Sequence, residues 1–380
     1  MTAPGPFRAG LRPIPARADL EQEWKALEDR ADGSFFTSWI WIGCWLESLP
    51  TAIRPMVLRI AKGDRTVGLG ILVKKRIWRS GVVPSRALFL NATGDSELDE
   101  LTVEYNGLLA ERGREHDVLR GACKALLARR GWDEWVLDAV QMAPSTGAAD
   151  AELTVIVDHE RPCHSVQLRR LGSSVDAYLA ELGQKTRYNI RRSLKAYGEI
   201  CPVRLDEAGT AGEAAACLDG LKQLHQAHWT SRGRRGSFGN RFFDQFHARF
   251  VREAPKGAVQ LLRIRAGDVV IGYLYNFVYR GYVYSYTAGF NYAVVSEQNR
   301  PGLVAHALAI EHNRQAGHAV YDLMAGHGEY KQSLGTSSST LGWYVVRRNR
   351  RRWAIERALR AVRGQSPAVQ TRPAEEGAGR

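Results

Sequence analysis

The chain has 380 residues, 44% of them hydrophobic, and a formal net charge of +13, a field that gathers anionic partners such as cofactor phosphates, acidic carrier proteins, nucleic acid or a membrane surface. Its length predicts two packed domains, no apolar stretch approaches the ~20 residues of a membrane span, and Met1 to Leu20 holds prolines and arginines where a signal peptide would be apolar, so a cytoplasmic location is expected. The five cysteines (Cys44, Cys123, Cys163, Cys201, Cys217) lack the paired spacing of metal or redox motifs and read as buried thiols.

In the first half, Leu20 to Leu27 reads as a helix, and Ser38 is a good N-cap for a second one running through Trp39, Ile42, Trp45 and Leu46 to the stop at Pro50. Arg54 to Ala61 and Thr66 to Val73 read as strands around a Lys62-Gly63-Asp64 turn. Leu88 to Asn91 is a further strand, Asp117 to Arg129 a helix with Val118, Ala122, Ala125 and Leu126 on one face, and Trp135 to Val140 a strand. Ala143 to Ala151 is rich in Pro, Ser, Gly and Ala and reads as a loop before a last strand, Glu152 to Asp158.

The second half opens with a strand at His164 to Leu168, and Ser173 with Asp176 forms a capping-box pattern for a helix bearing Val175, Tyr178, Leu179 and Leu182. A basic helix follows with Lys185, Arg187, Arg191, Arg192 and Lys195 around an apolar stripe of Ile190, Leu194 and Tyr197; another helix carries Leu218, Leu221 and Leu224. Ala258 to Arg265, Val269 to Tyr279 and Tyr282 to Ala288 form three strands joined by short glycine turns, an antiparallel meander. A helix from Pro301 to Gln315, closed by Gly317, leads to a short strand Ala319 to Met324, and Thr340 to Val346 is the last strand.

Gln184 to Arg192 resembles the Lys-x-Arg-x-Asn-Ile-Arg helix of Fem-type transferases and of acetyltransferases associated with cellulose biosynthesis. Leu224-His225, Trp229, Arg232-Gly233, Phe242, Ala288-Gly289-Phe290, Pro301-Gly302, Tyr321-Asp322, Gly326 and Glu329-Tyr330-Lys331 follow in that family's order. The resemblance spans residues 165 to 346 and implies the GNAT superfamily, in a branch related to Fem-like peptidyltransferases. The expected fold is α+β (α/β), with tandem GNAT-like (acyl-CoA N-acyltransferase) domains. The expected division is 1–160 for an N-terminal GNAT-like half, 161–346 for the acetyltransferase domain, 347–363 for a basic amphipathic helix and 364–380 for a disordered tail. Two departures stand out: Asn299 to Val304 keeps only the central glycine of the GNAT pyrophosphate signature, and Leu334 stands where the family often has Trp.

Acyl transfer from a thioester needs a positioned nucleophile, a donor for the oxyanion and a proton for the thiolate. The resemblance implies a backbone N–H of the strand Tyr282 to Ala288 for the oxyanion and Tyr330 for the thiolate. Asp322 is the candidate base or amine-orienting group, against a structural acid bonded to backbone or arginine; Lys331 is the candidate for charge on the donor, against a solvated lysine. The start of the Pro301 helix, with Arg300, Gly302 and Leu303, is the candidate cofactor site, since a helix N-terminus offers free N–H groups to phosphate; its plain alternative is an ordinary proline-started helix. Lys185 and Arg187 are candidate phosphate contacts, and His225 and Trp229 candidate substrate contacts. His225 and His228 lack a third ligand at recognisable spacing, so no metal is expected.

These features give an acyltransferase using acetyl-CoA, another acyl-CoA or an acyl carrier protein, with an amine or hydroxyl acceptor such as a phosphorylated sugar, a polysaccharide precursor or a small metabolite. The alternatives are a Fem-like transferase that takes an aminoacyl group from tRNA, and a non-catalytic binding protein of a biosynthetic complex. From Arg347 to Arg363 eight arginines accompany one acid, Glu356, and Ile355, Leu359 and Val362 form a narrow stripe with Trp353 beside it. That helix either lies on anionic membrane or packs by its stripe onto the second domain with its arginines solvated.

Overall fold

In the computed structural model the described residues are 7–144, 152–172, 174–294 and 299–362. The elements run β1 (Phe7–Pro13), α1 (Arg17–Glu28), α2 (Trp39–Ser48), β2 (Pro55–Lys62), β3 (Arg65–Arg79), β4 (Val83–Leu90), β5 (Leu109–Ala110), α3 (Glu115–Leu127) and β6 (Glu134–Val140). They continue as β7 (Leu153–Gln167), α4 (Val175–Glu181), α5 (Gln184–Gly198), β8 (Val203–Glu207), α6 (Ala211–Thr230), α7 (Arg241–Glu253), β9 (Val259–Ala266), β10 (Val269–Tyr279) and β11 (Tyr282–Phe290). Last come α8 (Pro301–Gln315), β12 (Val320–Ala325), α9 (Glu329–Leu334), β13 (Ser337–Arg348) and α10 (Arg352–Val362). The chain divides into two compact units: residues up to Glu160 with the segment from Leu341 onward, and Arg161–Thr340. It passes from one to the other inside β7 and returns inside β13.

In the first unit the strands are ordered β1-β2-β3-β4-β6-β13, with β5 on β3. Neighbours pair antiparallel except β4 and β6, which are parallel. The face of α3 read from the sequence lies in the core, where Val118, Ala122 and Leu126 meet Leu58, Ile60, Leu72 and Trp135. Ser38 caps α2 as expected by accepting the Trp41 N–H, and Trp24, Phe35, Phe36, Trp41 and Trp45 are fully enclosed.

The second unit has the order β7-β12-β11-β10-β9-β8, and its parallel pair is β11 with β12. The expected meander is present as β9, β10 and β11. Helices α4, α5 and α8 cover it through Tyr178, Leu179, Ile190, Tyr197, Val304 and Ile310, which join Leu262, Ile264, Leu274 and Val283 in one core. Two histidines are fully enclosed here. His247 of α7 lies 3.2 Å from both the Tyr275 and Tyr286 hydroxyls, and His306 of α8 lies 3.1 Å from the Tyr321 hydroxyl.

Several expectations change. The strands Glu152 to Asp158 and His164 to Leu168 are one 15-residue strand, β7, whose extended backbone runs on through Pro162. The cap of α4 is Ser174, whose side chain accepts the Ala177 N–H; Ser173 lies outside the described residues, as do 145–151 of the expected loop and the tail 364–380. Strands β1 and β8 and helices α7 and α9 were not read from the sequence. The last strand does not close the second unit at Val346. Its distal half pairs with β6 of the first unit, Val345 opposite Val136 and Arg347 opposite Glu134.

The basic segment is corrected most. Arg347 and Arg348 belong to β13, and α10 starts only at Arg352. Arg347 bonds Glu134 at 3.1 Å and Glu356 at 2.5 Å, and Arg79 bonds the other oxygen of Glu134 at 2.9 Å, all four side chains being buried. Arg348 donates to the Leu126 and Leu127 carbonyls. Asp133, wholly buried, receives Arg86, Arg350 and Arg352. The face that α10 buries is Trp353 and Glu356, against the first unit, while Ile355 is 59% exposed. A buried carboxylate at position 356 needs its cation, and that requirement overrides the apolar stripe.

Removing Arg347 takes the arginine from buried Glu356 and leaves buried Glu134 with Arg79 alone. Arg347→Met is therefore expected to destabilise the first unit by about 3–5 kcal/mol, read from urea unfolding, whereas Ile355→Ser should stay within about 0.5 kcal/mol of wild type. Burial, reinforced by Lys222 for one ring and Lys331 for the other, pushes His247 and His306 down to about 3. In the unfolded chain each protonates near its ordinary value of about 6.5, so stability is lost as pH falls through 6.5 toward 3. Between pH 7.5 and 5.5 the pair should cost about 2–3 kcal/mol, a drop that unfolding curves at the two pH values would measure.

Candidate functional site

The parallel ladder of β11 and β12 holds only three pairs, Tyr282 with Val320, Val283 with Tyr321 and Tyr284 with Asp322. Beyond it β11 continues to Phe290, while β12 turns at Met324, a non-glycine residue with φ of 63°. The strands diverge, and backbone groups of β11 past Tyr284 that would face β12 have no ladder partner there. The β10–β11 register also shifts at this level: Tyr275 and Asn276 are adjacent but oppose Thr287 and Ser285, which leaves Tyr286 as a bulge. His247 bridges the Tyr275 and Tyr286 hydroxyls, one on each strand, and so braces that bulge from α7.

Helix α8 begins beside this opening. The Arg300 N–H donates to Ser193 Oγ of α5 at 3.1 Å, which fixes the approach, and Pro301 starts the helix with the next N–H groups, of Gly302 and Leu303, free of intrahelical bonds. A Cβ on Gly302 would lie 3.2 Å from the Phe290 ring, so the helix start and the end of β11 are in contact. The Arg300 side chain is exposed. From Phe290 an aromatic wall runs through His306, 6.1 Å away, to Tyr330, whose ring stacks on His306 at 5.5 Å and 20°. In the other direction Phe290 meets Tyr292, which stacks on His228 at 4.8 Å. Two polar atoms beside Tyr292, the Tyr197 hydroxyl and His228 Nε2, are buried with no hydrogen-bond partner among the described residues. Burial pushes the Tyr197 phenol up to about 12 and holds His228 below its ordinary value, with Arg232 adding to the effect.

The residues named from the sequence divide accordingly. Arg300, Gly302, Leu303 and Tyr330 come together at this opening. Asp322 is buried, and its carboxylate accepts the Met324 N–H at 2.6 Å, holding the turn at which β12 departs. Lys331 is buried rather than solvated, with Nζ donating to the Ala325 carbonyl at 2.7 Å. His225 donates through Nδ1 to the Ala288 carbonyl at 3.1 Å and accepts the Ser237 N–H at Nε2, so both ring nitrogens face the protein. Trp229 is half-buried under the Arg234 guanidinium. Arg187 donates to the Ala180 carbonyl at the end of α4. Lys185 is exposed and lies eight residues before Ser193, about 12 Å along α5, so the structure does not bring it to the start of α8. Ser193, Tyr197, Tyr286 and His306 were missed as site residues. Each sits in an apolar stripe or strand that reads as plain core, and only the spatial meeting of α5, α8 and β11 selects them.

The first unit repeats the ladder, with a cavity beside it lined by Leu90, Asn106, Leu137 and Val140. Strands β4 and β6 are parallel over three pairs, Ala87 with Glu134 to Phe89 with Val136, and Ala139, with φ of 53°, marks the departure. Asn106 bridges the parted strands: it donates through Nδ2 to the Leu90 carbonyl and through its backbone N–H to the Ala139 carbonyl. Asn91 locks the bridge by donating to Asn106 Oδ1 at 2.9 Å.

Residues 184–332 match the family described as Acetyltransferase (GNAT) domain. No curated protein sequence matches the chain. Among solved structures it is similar to the C-terminal domain (DUF2156) of a lysylphosphatidylglycerol synthetase-like protein from Agrobacterium fabrum, with TM-score 0.52 and 13% identity over 96% of this chain and 100% of that one. It is also similar to L-PGS from Bacillus licheniformis, with TM-score 0.51 and 10% identity over 93% of this chain and 96% of that one. FemX gives TM-score 0.53 and 9% identity over 93% of this chain and 100% of that one. At such identities these are likenesses of fold. The chain is thus a mixed α/β protein, and its residues 184–332 match the acetyltransferase (GNAT) domain family.

Proposed function

We propose that the second unit transfers an acyl group from an acyl-CoA thioester to an amine or hydroxyl acceptor, at the opening where β11 and β12 part. The observation that carries this reading is the three-pair ladder with its bulge at Tyr286, next to an α8 start that presents unpaired N–H groups. The pyrophosphate would take the Gly302 and Leu303 N–H groups and the Arg300 guanidinium, and the thioester would lie between the strands. A backbone N–H of the bulged strand would receive the oxyanion as the acceptor attacks the carbonyl carbon. The acceptor gives up its proton to solvent as it adds, collapse of the adduct breaks the C–S bond, and the thiolate takes the proton of the Tyr330 hydroxyl, which solvent restores. Asp322 and Lys331 act here as positioning residues, because their polar atoms hold the backbone at Met324 and Ala325.

A second donor class is favoured by one observation: Lys185, Arg191 and Lys195 form exposed basic positions on α5. An aminoacyl ester on tRNA would meet that surface, and its binding would fall steeply with salt.

Calorimetry with acetyl-CoA tests the first reading. Arg300→Glu should weaken binding roughly tenfold by reversing a charge at the helix start without moving the melting temperature, since the side chain is exposed. Unchanged affinity would remove the α8 start as the donor site. Binding of charged tRNA with no binding of CoA thioesters would replace the donor. Tyr330→Phe keeps the stack on His306 and removes only the hydroxyl, so kcat should fall about a hundredfold at near-constant KM and Tm. Full activity in a stopped-flow assay of that variant would reduce Tyr330 to packing.

A further inference from the structure

We propose that the first unit carries a binding site of its own, for a small primary amine with an apolar body, in the cavity where β4 and β6 part. The cavity measures about 240 Å³. An apolar hole of about 150 Å³ is enough for benzene, so this one has room for a ring and a short aminoalkyl arm. Leu90, Leu108, Leu119, Leu137, Val140 and Met142 supply its apolar wall. The polar groups of the wall are committed to the protein. Asn106 ties the Leu90 and Ala139 backbones, Asn91 holds Asn106, and Ser34 donates to the Tyr105 carbonyl at 2.8 Å. Asn91, Tyr105 and Ala139, with φ of 49°, 51° and 53°, are held in the left-handed region by this network. The walls are therefore rigid, and the space between them is formed before any ligand enters.

The cavity stands in its unit where the opening stands in the second. Helix α3 leads into β6, the parallel partner of β4, as α8 leads into β12, the parallel partner of β11, and the start of α3 lines the cavity through Glu115 and Leu119. The chemistry of the two helix starts is opposite. Helix α8 has no acid in its first turn, whereas α3 opens with Glu115 and Asp117. Arg114, which precedes α3 as Arg300 precedes α8, is committed to Glu111 at 3.0 Å. The carboxylates of α3 take up the positive end of the helix dipole and repel a pyrophosphate. Glu115 accepts the Gly113 N–H through Oε1 at 3.0 Å, and a carboxylate has lone pairs left for an ammonium group. Asp32, the other charged residue of the lining, is exposed and pairs with Arg112. Although the chain has 53 lysines and arginines, none of them, and no histidine, lines the cavity among the described residues. That composition decides against an anion or a CoA thioester and for a cation whose apolar body meets the leucine wall.

Ligand-observed NMR titrations of the full chain with phenethylamine, phenethyl alcohol and the hydrocinnamate anion test this. The amine should bind, the alcohol at least about fivefold more weakly and the carboxylate more weakly still. Glu115→Gln keeps the shape of a half-buried side chain; it should weaken the amine about tenfold and leave the alcohol as it was. Leu108→Trp, which fills the cavity, should abolish binding of both, with the melting temperature checking that the variant folds; where it does not fold, Glu115→Gln decides. Acetyl-CoA binding should be unaltered in either folded variant. Absence of amine binding, equal binding of amine and hydrocinnamate, or an unchanged amine affinity in Glu115→Gln or in folded Leu108→Trp would overturn the proposal. So would acetyl-CoA binding that is lost in Leu108→Trp and kept in Arg300→Glu, which would give the cavity to the thioester. A wild-type chain that binds the amine and no acetyl-CoA would count against the donor site at α8 and leave this one standing.

Discussion

Both units depend on one constraint, a parallel strand pair that holds for three residues and then parts. Parallel pairing needs both backbones to stay regular, and a left-handed residue on the second strand ends that regularity, Met324 on β12 and Ala139 on β6. Such a residue costs of order 1 kcal/mol or more and persists only when its surroundings over-determine it. At Met324 the determinant is visible: the Asp322 carboxylate takes its N–H, and Lys331 takes the carbonyl of the residue that follows. The divergence creates backbone groups that need partners, and the two units answer that need differently. Asn106 and Asn91 satisfy them internally in the first unit, whereas in the second the start of α8 and an aromatic wall stand beside the gap.

The braces around the second gap are polar groups set deep in the core. His247 joins hydroxyls from two strands at the bulge, His306 joins α8 to Tyr321 of β12, and Ser193 joins α5 to the residue before Pro301. A buried polar group without a partner is costly, so each of these pairs specifies one arrangement of its elements. Tyr197 and His228 each leave one polar atom unpartnered among the described residues, beside Tyr292.

The net charge of +13 has a structural side. Arg79 and Arg347 neutralise two buried glutamates, and Arg348 closes the C-terminal carbonyls of α3. What remains as surface charge near α10 is the excess around Asp133, where three arginines share one carboxylate. A run of like charges therefore folds into an ion-paired strand end and a docked helix, and only part of it faces solvent.

Sequence alone determined the meander, α8 and its start, the face of α3 and the cap of α2, because each rests on short-range rules: period-two or period-3.6 apolar patterns, glycine turns, a serine before a helix and a proline at its first position. It also picked out Arg300, Gly302 and Tyr330 in a recognisable order. Tertiary structure alone decided what those residues meet. The roles of Asp322, Lys331 and His225 as backbone clamps, the continuity of β7, the return of β13 to β6 and the buried face of α10 follow from partners far away in the chain or across a turn whose geometry no local pattern encodes. A lysine or aspartate reads the same in sequence whether it faces a cleft or a carbonyl. The choice is made by burial, which forces each charge toward whatever partner the packed elements bring within hydrogen-bond reach.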